Sequence, residues 1–231
     1  MFASKFFNPQ VKAALTTLLL AVAVPAKADT IWRYREAWNA EHAGNYDQAF
    51  RTWKKLAKEG DPSGQTSLGK MYYKGQGVTQ DYKQALAWFQ KGADQGNAGS
   101  QYFLGLMYEK GHGVAQDYKQ AFAWYKKSAD QGKPDAQYMV GLMYEKGLGV
   151  AQDYQQAVWW YKKAAQWFYY ADAHYALGNM YYKGLGVAKD YQQAKAWWQK
   201  VLAQPDRADT VEAKKQARIG MQQLENMSIG E

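Results

Sequence analysis

The chain has 231 residues, a formal charge of +8 and no cysteine. That excludes disulfides, zinc–thiolate centres and a lipid-modified cysteine. Three of the 29 bases precede residue 29, which leaves 26 against 21 acids, a modest excess that does not point to a nucleic-acid partner.

Residues 1–28 contain Lys5, Lys12 and Lys27 but no acid, and a mostly apolar run from Ala13 to Val24. The run is shorter than the roughly 20 residues a spanning helix needs. It ends in Ala26-x-Ala28, the small residues a signal peptidase requires. We expect a signal peptide cleaved before Asp29, a periplasmic or secreted product, and no integral membrane span in the mature chain.

Residues 29–60 form an incomplete helical hairpin on this reading. Ile31 to His42 is the first helix, Ala43-Gly44 turns, and Asn45 starts the second. Beyond it, one stretch organises the chain. Lys74-Gly75-Gln76-Gly77-Val78-Thr79-Gln80-Asp81-Tyr82 returns at Lys110–Tyr118, Lys146–Tyr154 and Lys183–Tyr191. Recurrence at one period is the signature of a repeat array.

Each unit reads as two helices. In helix A, Pro134 suits the first turn, where its missing N–H costs nothing. Ala136, Val140, Met143 and Tyr144 then share one face, and Gly147 can take the left-handed cap. Helix B, about Tyr154 to Gln166, starts at Asp153, with Gln156 placed to complete a capping box. The same pair recurs as Asp81/Gln84, Asp117/Gln120 and Asp190/Gln193, and as Asn45/Gln48. A short loop makes A and B antiparallel neighbours. Every helix A carries one interior glycine, Gly69, Gly105, Gly141 or Gly178, at a cost of about 1 kcal/mol relative to alanine. We expect it to face the early alanine of helix B: Ala85, Ala121, Ala157 or Ala194.

The pattern Leu-Gly-x-Met-Tyr-x-x-Gly-x-Gly-Val-x-x-Asp-Tyr-x-x-Ala-x-x-Trp-aromatic resembles the Sel1-like repeat, a relative of the tetratricopeptide repeat. The resemblance implies an all-α, right-handed superhelical α/α solenoid with a protein-binding or scaffolding role. The units run 61–96, 97–132, 133–169 and 170–204. Residues 205–231 follow as a capping helix and tail, with Ala213, Ala217, Met221 and Leu224 on its inner stripe and a polar outer face, as arrays need for solubility.

Two surfaces are candidates for a protein or peptide partner. By analogy with the family, helix A lines the concave side. There Tyr102, Leu106 and Glu109 share a face, as do Tyr138, Leu142 and Glu145, and Tyr175, Asn179 and Tyr182. The tyrosines either form a ladder across the groove or pack between adjacent A helices. The second surface is the junction between the third and fourth units. Trp167-Phe168-Tyr169-Tyr170 replaces the usual Gln-Gly, and Trp159 replaces the alanine seen as Ala87, Ala123 and Ala196. Four consecutive aromatics cannot all face one core, because neighbouring helical residues point about 100° apart. We expect Phe168 and Tyr169 at the partner surface and Trp167 filling the gap between units.

Helix B also repeats Trp88, Trp124, Trp160 and Trp197, followed by Phe89, Tyr125, Tyr161 and Trp198. Most of these are expected in the core. Lys55, Lys91, Lys127, Lys163 and Lys200 recur late in the same helix, suited to its C-terminal dipole or, as the alternative, to an anionic partner.

Ser67-Leu68-Gly69-Lys70 matches the S-x-x-K motif of penicillin-binding enzymes, but no S-D-N or K-T-G accompanies it. Its positions are not repeated in the other units. His42, His112 and His174 lie in separate units, which argues against a metal site. Each Gly-x-Gly joins two helices, unlike a phosphate loop. The sequence therefore reads as a non-enzymatic scaffold without cofactor. The alternatives are a β-lactam- or peptidoglycan-acting hydrolase and a purely structural envelope protein.

Overall fold

The computed structural model describes residues 26–167 and 170–229. The apolar run Ala13 to Val24, Phe168 and Tyr169 lie outside the described residues. The described chain is all helical, with eleven helices and no strand. The N-terminal hairpin is α1 (Ala26–His42) and α2 (Tyr46–Lys58). The A helices are α3 (Pro62–Lys74), α5 (Ala98–Lys110), α7 (Pro134–Lys146) and α9 (Ala171–Lys183). The B helices are α4 (Tyr82–Asp94), α6 (Tyr118–Asp130), α8 (Tyr154–Ala164) and α10 (Tyr191–Leu202). The last helix is α11 (Val211–Ile229). Each helix packs chiefly on its neighbours in sequence. In addition α3 touches α5, and α9 touches α11.

The A–B loop is built the same way four times. Gly75, Gly111, Gly147 and Gly184 end their helices in the left-handed region, with φ between 67° and 71°. The aspartate that opens helix B accepts from the backbone N–H three residues on, at 3.0 Å for Gln84 and 2.9 Å for Gln156. The glutamine half of the expected capping box does not form in these units. Asp81 N–H instead donates to Tyr72 O of the preceding A helix at 3.0 Å, and Asp117, Asp153 and Asp190 do the same to Tyr108, Tyr144 and Tyr181. One backbone bond thus satisfies the cap and ties B to A. The loop glutamines Gln80, Gln116 and Gln152 add a bond to the last turn of helix A, through Tyr73 O, Glu109 O and Glu145 O.

The second glycine of each loop joins one unit to the previous one. A Cβ on Gly149 would stand 2.0 Å from Tyr118 O. Gly77, Gly113 and Gly186 meet Tyr46 O, Tyr82 O and Tyr154 O in the same way. The repeat period is therefore held by glycine lying flat on the peptide that opens the preceding B helix.

The interior helix A glycines face a different partner from the one the sequence suggests. Their neighbour is the aromatic residue of helix B, not its early alanine. A Cβ on Gly69, Gly105 or Gly141 would come within 2.5–2.7 Å of the ring of Phe89, Tyr125 or Tyr161. At Gly141 the alanine is also near, with Ala157 O at 3.2 Å. In the fourth unit the ring is the larger indole of Trp198. It needs a glycine on each side, Gly178 from α9 and Gly220 from α11.

The repeated aromatic pair divides its work. Phe89, Tyr125, Tyr161 and Trp198 are fully buried, four residues after the buried Ala85, Ala121, Ala157 and Ala194. The preceding tryptophan lies about 100° further round. Trp88, Trp124 and Trp197 are therefore only half-buried, and Trp160 alone is core. Each tryptophan carries the recurrent lysine three residues on. Lys91, Lys127 and Lys200 stand over Trp88, Trp124 and Trp197 at 4.2, 4.1 and 3.9 Å. A contact of this kind is worth about 0.5–1 kcal/mol at an exposed site, so the lysine column already has an intramolecular role.

Candidate functional site

The helix A ladder combines packing with exposure. Tyr102, Tyr138 and Tyr175 are half-buried, as are Leu106, Leu142 and Asn179. Tyr102 packs on Tyr125 and Tyr138 on Tyr161, both at 5.5 Å between ring centres. Burial, with Asp135 and Glu109 adding, pushes the Tyr102 phenol up to about 12. Burial likewise raises Tyr138, with Asp172 and Glu145 contributing. These phenols stay neutral donors at any physiological pH.

The two glutamates of the ladder are occupied. Glu109 accepts a hydrogen bond from Tyr125 Oη at 2.7 Å, and Glu145 accepts one from Tyr161 Oη at 2.5 Å. The buried phenols gain an anionic acceptor at the edge of the core, and their ionisation is pushed far up by burial and by these carboxylates. The pairing co-varies along the chain. Where helix B supplies Phe89 or Trp198, which have no phenol to satisfy, helix A supplies Tyr73 or Tyr182 in place of glutamate. Tyr182 packs on Trp198 at 5.6 Å.

A buried polar column crosses the units beneath this face. Gln65, Gln101, Gln137 and His174 occupy one helix A position and all are buried. Gln95 donates to Gln65 Oε1 at 2.8 Å, and Gln131 to Gln101 Oε1 at 2.7 Å. At the next junction Trp167 stands where Gln95 and Gln131 stand. Gln137 Oε1 is then buried without a hydrogen-bond partner, a situation costing about 1–3 kcal/mol.

His174 continues the column as a neutral ring. Its Nδ1 donates to Tyr170 O at 2.8 Å, and its pKa is lowered from 6.5 by burial, with Lys200 adding. A folded-state pKa below the unfolded one means the unfolded chain binds more protons at low pH. Stability is expected to fall as pH drops through the ordinary histidine range. His174→Gln, the residue used by the other units, should flatten that part of the curve. Urea midpoints between about pH 7 and 5 check this; equal slopes for both proteins would remove His174 as the cause.

The third junction is open to solvent in part. Trp159 is 47% and Trp167 56% exposed. Trp159 stands edge-on to Trp160 at 4.6 Å, with Lys163 over its ring at 3.9 Å. Trp167 therefore does not fill the gap between units as the sequence suggests. Tyr170 turns inward instead, packing on Tyr138 at 5.7 Å. It is the only one of the four consecutive aromatics, among the described residues, that does so.

Ser67 and Lys70 of the S-x-x-K match are both half-buried on α3. Among the described residues no cluster of three or more His, Cys, Asp or Glu could hold a metal, and no helix is long and apolar enough to cross a membrane.

The repeat geometry has clear relatives. The Sel1 repeat model matches at residues 62–97, 98–133, 134–166 and 171–204. The chain is similar to a Sel1 repeat protein from Oxalobacter formigenes, at 35% identity and a TM-score of 0.66, over 79% of this chain and 50% of that one. It is also similar to a protective antigen present in uropathogenic Escherichia coli strains that displays an SLR fold. That match has 29% identity and a TM-score of 0.67, over 83% of this chain and 46% of the antigen. The chain thus spans about half the length of both. A Sel1 repeat protein from Klebsiella pneumoniae, at 20% identity and a TM-score of 0.54, shares the fold over 90% of this chain and 98% of its own. No curated protein matches the sequence. With four matched repeats spanning most of residues 62–204, the chain belongs to the Sel1 repeat family.

Proposed function

We propose that this protein is an exported scaffold that holds a protein or peptide partner, without catalysis, on its helix A face and at the aromatic junction. Sel1 repeats generally mediate protein interactions. The observation that carries the reading is the junction itself. Trp167 interrupts a buried glutamine column and leaves Gln137 Oε1 unpartnered, yet its own ring is more than half exposed. Such a substitution costs the fold and gains it little. Exposed aromatics on a rigid support are the usual anchors of interfaces. The direct contact of α3 with α5 supports helix A as the inner, concave side. There the exposed parts of Leu106, Leu142 and Asn179 offer a row of contacts between tyrosine phenols.

The test is partner affinity set beside thermal stability. Trp167→Gln and Trp159→Ala are expected to weaken binding by about 2 kcal/mol if the rings are hot-spot anchors. Trp167→Gln should not lower the melting temperature, since it restores the residue of the other units. Unchanged affinity in both variants would sink the junction as the site. For the export half of the proposal, fractionation should recover a soluble form beginning at Asp29; an intact N-terminus in the membrane fraction would refute it.

A further inference from the structure

We infer that the edge of the array formed by the C-terminal ends of the B helices adsorbs to an anionic lipid surface, which leaves the helix A face free for the protein partner. Charge is not spread evenly over the fold. The second helices of the five pairs, α2, α4, α6, α8 and α10, hold 13 bases against 3 acids, whereas the other described residues hold 14 against 17. The bases gather toward the end of each helix, where Lys55, Lys91, Lys127, Lys163 and Lys200 mark the same position. A helix dipole favours a lysine there. It does not ask for the doubling to Lys54-Lys55, Lys126-Lys127 and Lys162-Lys163.

This charge is not neutralised within the molecule. Among the described residues none of the five recurrent lysines forms an ion pair. Glu59, Asp94, Asp130 and Asp135 share the edge, but they are held by Arg33, Gln90, Lys126 and Lys133. On α2 the bases Arg51, Lys54, Lys55 and Lys58 are spaced i, i+3, i+4 and i+7, and with Glu59 they line a shallow depression. Like charges at that spacing repel and destabilise a helix, so the stripe costs the fold unless something anionic meets it. Residues 1–25 add two lysines and no acid, and so bring no counter-charge.

The indoles at the same edge specify the chemistry of the partner. Lys91, Lys127, Lys163 and Lys200 lie over Trp88, Trp124, Trp159 and Trp197 at 4.2, 4.1, 3.9 and 3.9 Å. None of these four rings is fully buried. Tryptophan beside lysine is the pairing that sits at the level of lipid headgroups, the ring at the apolar boundary and the ammonium on the phosphates. A basic amphipathic helix such as α2 is likewise suited to a membrane surface. A sheet of phosphates demands only that the positive groups face one way, and repetition at one helix position supplies that. Contact through exposed charges is screened by salt, so the chain is recovered soluble once salt is raised.

Co-sedimentation with vesicles tests this without any protein partner. At low salt the wild-type chain is expected to bind vesicles of phosphatidylglycerol mixed with phosphatidylcholine, to ignore phosphatidylcholine alone, and to be released by added salt. Lys91→Gln, Lys127→Gln, Lys163→Gln and Lys200→Gln combined should bind about a hundredfold more weakly, each lysine at an anionic surface being worth about fivefold and not all four standing equally close. The control is Lys74→Gln, Lys110→Gln, Lys146→Gln and Lys183→Gln combined. These exposed lysines end the A helices, about 20 Å away along the antiparallel pair and about two screening lengths from the column in 0.1 M salt. The control carries the same change in net charge and should bind like wild type. Melting temperatures matching wild type would show that both variants fold. Wild type that ignores the anionic vesicles overturns the inference. So does an equal loss in the two variants, or binding to poly-glutamate without binding to vesicles, which would assign the column to an acidic polypeptide.

Discussion

Replacing Gly141 with leucine is expected to destabilise the protein by about 3 kcal/mol, at the upper end of what overpacking a core usually costs. A Cβ at this position would sit 2.7 Å from Tyr161 Cδ1, 2.8 Å from Cε1 and 3.2 Å from Ala157 O. The tyrosine cannot swing away freely. It is fully buried, and its hydroxyl is held by Glu145 at 2.5 Å. Relief therefore requires α7 and α8 to separate, which also strains the loop bond from Asp153 N–H to Tyr144 O. Leu142→Ala is the control, because Leu142 is only half-buried on the ladder face. Urea unfolding of both variants measures the difference. A Gly141→Leu midpoint equal to that of wild type would show that helix A does not need glycine against the ring.

Gly149→Ala should cost nearly as much, for a different reason. The residue has φ +69°, a region that costs an L-residue about 1–2 kcal/mol. Its Cβ would also lie 2.0 Å from Tyr118 O and 2.3 Å from Tyr118 C. That neighbour is backbone inside the first turn of α6, so it has no rotamer to change. The third unit must lift off the second, and a loss of about 3 kcal/mol is expected when strain and overpacking combine. Gly132→Ala separates the two contributions. Gly132 also has positive φ, at +87°, but nothing lies within 4 Å of its Cβ. It should show the backbone cost alone. If both alanine variants lose the same stability, the contact between units contributes nothing, and the account of how the period is held is wrong.

These two glycines show how far the sequence could be read. Their spacing made the repeats legible, because a glycine returning with the same neighbours has few physical uses. Gly147 as a left-handed cap and Asp153 as an N-cap were equally legible, since caps are local and each needs only its own helix end. Partners were harder. The glycine of helix A was expected against a small residue, yet it faces a buried aromatic ring of helix B. Close approach of two backbones and room for a ring both call for glycine, and only the rotation of one helix against the other distinguishes them. The glutamates of the ladder have a second role that the sequence reading did not include. Glu109 and Glu145 read as members of the helix A face, and each is also bonded to a buried phenol sixteen residues on. The clue was present in the co-variation of Glu with Tyr and of Tyr with Phe or Trp across the units.

The sequence by itself determined the unit, its period, the positions of its helices and the family. All of these rest on interactions within about forty residues, repeated four times, so that chance resemblance is filtered out. Tertiary structure decided which aromatic of each pair is core, what the lysine column does, and that Trp167 is exposed while Tyr170 is turned inward. Those outcomes depend on the angle at which one helix presents its side chains to the next, and on whether another unit covers them. A periodic sequence repeats the side chains faithfully, but it does not by itself show which neighbour each of them meets.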